Sequence, residues 1–291
     1  MVNKIKRNTK IKGYLFGLFS VIFIVVILRV FFIGSFLVPS QSMYPTIQDG
    51  DYILVNKLIP GARIITDLNF SEKKTRPEIW RSPGYRNIQR NDVVVFNLPY
   101  KTRNQLSLNE NVYYVKRCIA IPGDTFYIKN GFYQVNSLSN TFGNIEKQQK
   151  LAIMDEKDIP EKVFQCMPKH NKYYYWTMKN FGPLYIPSLN DTINISIVNI
   201  NLYKNLIEYE TGKKIKINKS MVYLNDKVIT GYRFALNYYF MAGDNIFDSR
   251  DSRYWGLLPE DHIIGKAILI WKSKTLDTGK FNWKRFFKLI K

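Results

Sequence analysis

Val38-Pro39-Ser40-Gln41-Ser42-Met43-Tyr44-Pro45-Thr46-Ile47 lies directly after the only long apolar run in the sequence. Two serines two apart, fenced by Pro39 and Pro45, place a hydroxyl in a stiff turn rather than in a helix or regular strand, because each proline fixes its own φ and restricts the residue before it. Such a turn suits a nucleophile. A serine needs a base, and the two histidines, His170 and His262, stand in no recognisable triad setting. Attention passes to lysine, the base of the Ser-Lys variants of the triad.

In Val112-Tyr113-Tyr114-Val115-Lys116-Arg117-Cys118-Ile119-Ala120-Ile121-Pro122-Gly123-Asp124, a lysine sits inside an apolar strand that ends in a Pro-Gly-Asp turn. Alternation puts Lys116 on the face of Val112, Tyr114 and Cys118, with Arg117 pointing the other way. A free lysine titrates near ~10.4, and burial among such neighbours disfavours the ammonium. The bland alternative is a solvated surface charge, since lysine is almost never fully buried unless paired.

Working outward, Lys4, Lys6, Arg7, Lys10 and Lys12 precede an uncharged apolar stretch from Gly13 to Leu28, and the run continues past Arg29 to Val38. A helix over 13–35 would reach roughly 34 Å at ~1.5 Å per residue, enough to span a bilayer. The rival is a cleavable leader with the same basic start, but an apolar region of about 7 to 15 residues and a small-residue cleavage site fit poorly here, so a retained span is expected. Flanking basic residues orient the N-terminus to the cytoplasm, which leaves Ser42 a few residues beyond the outer face.

From Asp51 onward short β-branched or aromatic runs dominate: 52–55, 93–96, 112–121 and 267–271. Asn130-Gly131 between 126–128 and 132–135 predicts a hairpin, and Asn225-Asp226 a second one. The segment 181–187 reads as extended and 202–209 as a short helix before Thr211-Gly212. Residues 64–89 read as a surface insertion, with a loop near the membrane as the rival.

At 46% hydrophobic and 23% charged over 291 residues, the chain can bury a sizeable core, which excludes disorder as the default. The net charge of +20 comes from basic residues scattered among Asn, Ile and Tyr, without the clustered face that nucleic-acid binding asks for. No nucleic-acid partner is expected. No His or Cys spacing fits a metal site, and no cofactor is expected. Cys118 and Cys166 allow either a disulfide or two free thiols. In the tail, Trp283, Phe286, Phe287 and Ile290 share one helical face opposite Lys284, Arg285, Lys288 and Lys291, for docking either to lipid or to the body.

The segment Ser40-Gln41-Ser42-Met43-Tyr44-Pro45-Thr46 resembles the nucleophile box of the type I signal peptidases, the bacterial leader peptidase family. The family's other boxes follow in order: 50–57, 90–96, 114–124, and Gly243-Asp244-Asn245 through Asp248-Ser249-Arg250-Asp251-Ser252-Arg253-Tyr254-Trp255-Gly256 to Pro259. The resemblance departs at Asn91 and Ala120, where glycine is usual, and at Ile246-Phe247-Asp248, where Arg and Asn are common.

The resemblance implies a mainly β fold: an N-terminal transmembrane helix, then a coiled antiparallel, barrel-like catalytic sheet with an inserted second β region. The expected divisions are a cytoplasmic basic tail over 1–12, the span over 13–35, a catalytic β domain over 36–129 and 221–273, the insertion over 130–220, and a basic amphipathic tail over 274–291. It implies a serine endopeptidase of the bacterial inner membrane, with the body on the outer face and with preprotein signal peptides and membrane lipids as partners. Ser42 would be the nucleophile and Lys116 the general base. Ser40 and the Ser42 N–H would form the oxyanion hole, Ser249 would orient the lysine, and Asp251 and Arg253 would support it. Val38, Met43, Ile47, Tyr114 and Val115 would line small-residue pockets. Two rivals stay open: a self-cleaving Ser-Lys regulator related to SOS repressors, and a catalytically idle binder of extended peptides.

Overall fold

The computed structural model describes residues 2–66, 76–102, 105–136, 142–168 and 171–291, so Met1, His170 and much of the 64–89 segment lie outside the described residues. Helix α1 (Val2–Ile27) carries the apolar run. Its extension over Gly13–Phe32 has a mean hydropathy of 2.8, is not buried in the protein, and is long and apolar enough to cross a membrane. Helical geometry stops at Phe32, after a π-helical turn over Leu28–Phe32, rather than at the expected Ser35. Ile33–Leu37 is already strand β1, because its backbone is captured by β2 (Asp51–Asn56) in antiparallel register, Ser35 facing Leu54. Lys57 Nζ donates to the carbonyls of Arg29 and Val30 at 2.7 and 3.3 Å, satisfying acceptors freed where the helix ends.

The chain continues through β3 (Val93–Thr102) and β4 (Gln105–Ala120), the hairpin β5 (Thr125–Lys129) and β6 (Phe132–Val135), then β7 (Phe181–Tyr185), β8 (Tyr238–Ala242), β9 (Ile263–Ser273) and the short β10 (Lys288–Leu289). The main sheet runs β1-β2-β9-β3-β4-β8, every pairing antiparallel, with Leu258–Pro259 beyond β8 and β10 attached to β9. Register shifts interrupt β9 against both neighbours and β3 against β4. Each adds local bend and twist, so the sheet coils.

The hairpins predicted at Asn130-Gly131 and Asn225-Asp226 both form. In the first, both turn residues have positive φ, the geometry that suits a two-residue loop. Strand β5 pairs with β6 on one side and β7 on the other, so a boundary at 129/130 cuts through a hairpin. The core is also continuous there: one apolar cluster runs from Ile119 through Phe126 and Phe181 to Phe240, with the Phe126 and Phe240 rings 4.1 Å apart. Nor is the insertion purely β. Helix α2 (Ile145–Ile153) is pinned by buried Gln148, which accepts from the Tyr133 N–H at 2.8 Å and donates to the Phe142 carbonyl at 2.5 Å. Helix α3 (Ile200–Thr211) ends at Gly212 with φ 67°, a left-handed cap that glycine adopts without strain.

The described part of the 64–89 segment packs on the body. Arg63–Ile65 pairs with Ile79–Arg81, and Arg81 donates to the carbonyls of Gly61, Glu260 and Ile263. Cys118 and Cys166 are both buried, in separate apolar clusters, and are not joined in a disulfide.

The amphipathic helix expected in the tail does not form. A short turn over Trp283–Arg285 leads into β10, and the apolar face is divided: Trp283 and Phe287 stay 70% and 71% exposed while Ile290 is buried. Arg285, expected on the solvent side, is buried against Asp51. The Ile290 N–H bonds the Ile268 carbonyl. A buried ion pair and a sheet ladder outweigh the helical periodicity.

Candidate active site

The turn after β1 is held by its surroundings more than by its own backbone. Ser42 is nearly buried, and its carbonyl accepts from the Asn245 N–H at 3.0 Å, tying the turn to the loop after β8. Lys116 reaches the same spot from β4. Its Nζ lies 2.6 Å from Ser42 Oγ and 3.0 Å from the Val115 carbonyl, and only 4% of the residue is exposed. Burial pulls the ammonium down to about 8, while the negative fields of Asp251 and Asp244 hold it up. A lysine in that range supplies a neutral amine at mildly alkaline pH, which a solvated lysine does not.

Ser40 Oγ is 3.5 Å from Ser42 Oγ, and among the described residues the Ser42 N–H donates to no other group. Both donors therefore stand beside the hydroxyl. Ser249 is 5% exposed, but its hydroxyl makes no hydrogen bond to Lys116, whose partners among the described residues are Ser42 and the Val115 carbonyl.

Asp251 and Arg253 are fully buried and joined by two hydrogen bonds of 2.8 Å. Burial works to raise the Asp251 carboxyl, but the Arg253 guanidinium and the Gly243 N–H, 3.0 Å away, hold it below the usual carboxylate range. Gly243 is wedged behind Ser42, where a Cβ would stand 2.5 Å from the Ser42 carbonyl oxygen and 2.2 Å from Ser249 Oγ. Gly243→Ala must displace the Ser42 backbone, so we expect a loss of turnover of about 100-fold. Steady-state kinetics on the folded variant checks this; wild-type turnover would show the contact to be soft.

A groove of about 310 Å³ opens in front of Lys116 and Ser42, walled by Phe36–Pro39 on one side and Tyr113–Val115 on the other. Val38, Tyr114 and Val115 line it as expected from the sequence. Met43 and Ile47, both fully buried, instead pack behind Val38. Ile53 and Val95 take part in the wall. Cross-strand register is the signal that finds Ile53, since β1–β2 pairing sets it opposite Phe36.

Sequence reasoning also missed a polar tie. Arg117 donates to Asp244 at 2.7 and 2.6 Å, and the Thr46 hydroxyl donates to the same carboxylate at 2.5 Å. Arg117 was placed on the opposite face from Lys116, but nothing in the local pattern named its partner. His262 is buried against the Tyr209 ring, and burial pulls its imidazole down to about 3, so it is uncharged near neutrality.

An apolar N-terminal helix, a coiled antiparallel sheet and a buried Ser-Lys contact at the end of a groove are together what a β-sheet hydrolase with a lysine in the place of histidine would need. A model of the family described as "Signal peptidase, peptidase S26" matches residues 11–184 and 233–272. The signal peptidase I of Buchnera aphidicola (subspecies Schizaphis graminum) is 31% identical over 277 residues, covering 94% of this chain and 79% of that protein. That of Pseudomonas fluorescens is 28% identical over 284 residues, covering 94% and 76%. The chain belongs to the signal peptidase family, peptidase S26.

Proposed function

We propose that the chain removes N-terminal signal peptides from exported preproteins, with Ser42 as nucleophile and Lys116 as general base. The observation that carries this reading is the 2.6 Å contact between Lys116 Nζ and Ser42 Oγ, two largely buried groups at the floor of the groove. Neutral Lys116 takes the proton as Ser42 Oγ attacks the scissile carbonyl, then delivers it to the leaving amine; a water, giving its proton to the same lysine amine, cleaves the Ser42 ester, and the proton returns to Ser42 Oγ. The Ser42 N–H and the Ser40 hydroxyl meet the charge that develops on the carbonyl oxygen. Asp251 and Arg253 act through Gly243 and the loop that carries Ser249. An extended substrate lies between Phe36–Pro39 and Tyr113–Val115, bonding their backbones as an added strand. Val38, Tyr114 and Val115, with Met43 and Ile47 behind them, leave room for small side chains before the cut.

The apolar helix crosses the bacterial inner membrane once, with basic residues on the cytoplasmic side and the body outside. The exposed aromatic residues Phe281, Trp283 and Phe287 meet the lipid surface. The division of the body into a catalytic sheet and an inserted part fits this arrangement, because Ser42, Lys116 and Ser249 all come from segments outside the insertion.

Spheroplasts making the full-length protein together with a model preprotein test both parts. The expected result is a mature product that Ser42→Ala fails to give, with external protease digesting the body and sparing the N-terminal tail. Binding of the preprotein without cleavage would favour the idle peptide binder; survival of the body would overturn the topology.

A further inference from the structure

The C-terminal residues converge on the turn that carries Ser42. Arg285 is 8% exposed and donates to both carboxylate oxygens of Asp51, most closely at 2.6 Å, and through the same Nη2 to the Thr46 carbonyl at 3.1 Å. Asp51 is fully buried and closes the far end of the turn: its carboxylate accepts the Gln48 N–H at 2.8 Å and its carbonyl accepts the Val38 N–H at 2.9 Å. Ile290 packs in the apolar cluster of Val38, Met43 and Ile47, with its N–H held by the Ile268 carbonyl at 3.0 Å. Thr46 is thus gripped on two sides, at its carbonyl by Arg285 and at its hydroxyl by Asp244.

We propose that the segment from Arg285 to Ile290 is a positioning strap for the nucleophile turn, fixing where Ser42 Oγ stands relative to Lys116. The proposal rests on the role given above to Ser42. If Arg285 served only to neutralise buried Asp51, the carboxylate contacts would suffice. The bond to the Thr46 carbonyl reaches past the acid to the turn itself, and Ile290 supports the same turn from its apolar side. The turn has few backbone bonds of its own, chiefly Tyr44 N–H to the Gln41 carbonyl and Ile47 N–H to the Met43 carbonyl. Its geometry is set from outside, and a displacement of about 1 Å in such a group costs on the order of 100-fold in rate.

Arg285→Lys keeps the charge but loses the planar fork that serves Asp51 and Thr46 together. In the full-length protein, cleavage of a model preprotein by Arg285→Lys is expected to show kcat lowered about 10- to 100-fold. KM should stay within about 2-fold, because the groove walls are intact, and the pH midpoint should not move, because Lys116 keeps its surroundings. Ile290→Ala, which leaves every charge in place, should lower kcat about 3- to 10-fold with the same pattern. Urea unfolding gives the folded fraction. Wild-type kcat in both folded variants, or a loss no larger than the unfolded fraction, would overturn the strap. If Arg285→Lys does not fold, Ile290→Ala decides alone. Failure of the catalytic reading is separate: the wild type would not cleave, or Ser42→Ala would cleave equally well.

Discussion

Folded Lys116→Arg is expected to lose preprotein cleavage by about 1000-fold or more, although it keeps the positive charge. Arginine stays protonated throughout the working range, so it cannot take the proton from Ser42 Oγ. In the wild type, turnover should climb as pH rises through about 8, where Lys116 becomes neutral, and level off above it. Stability carries the same signature. The folded-state value lies below the ordinary 10.5, so the unfolded chain binds more protons between about 8 and 10.5, and stability rises with pH across that window. The whole shift is worth about 3 kcal/mol. Lys116→Met should therefore unfold at higher urea than the wild type at pH 6 and lack the alkaline rise. Near wild-type turnover by folded Lys116→Arg would remove Lys116 as the general base.

Asp251→Ala is expected to destabilise the protein by about 3–5 kcal/mol, because it leaves Arg253 as an uncompensated charge with no exposure to water. It also frees the Gly243 N–H, whose acceptor is Asp251 Oδ2, at the point where the chain passes behind Ser42. The double variant Asp251→Leu with Arg253→Met removes both charges together, and should recover much of the stability. Activity should not return with it, since Gly243 still lacks its acceptor. Urea unfolding and cleavage kinetics on the two proteins separate these effects; a single variant within 1 kcal/mol of the wild type would show that water or a rearranged partner reaches Arg253.

What could be read from the sequence was local or periodic. The Pro-bracketed turn, the strand carrying Lys116 and both asparagine-containing hairpins each follow from chemistry within a few residues, and the structure forms them. The Ser-Lys contact joins residues 74 apart in sequence, and only the ordered boxes pointed to it. The tail misled because Trp283, Phe286, Phe287 and Ile290 do fit one helical face. Nothing local announces that Arg285 will find Asp51, 234 residues earlier, or that β9 has an edge free for Lys288 and Leu289. The resemblance likewise puts Met43 and Ile47 at the groove, whereas packing behind Val38 is a property of the folded turn.

The junction between α1 and β1 has a mechanical consequence. The apolar helix passes into a strand of the main sheet without a linker, and Lys57 and Trp271 clasp that joint through the Arg29 carbonyl and the Ser35 hydroxyl. Anchored in a bilayer, the body is therefore not a bead on a string. With the helix in the bilayer as proposed, the sheet would act as a lever whose fulcrum is the membrane surface, carrying the groove at a set height and tilt above it. In the arrangement proposed above, the chain would measure as well as cut: a peptide emerging from the lipid would be scored at the residue that arrives at that height.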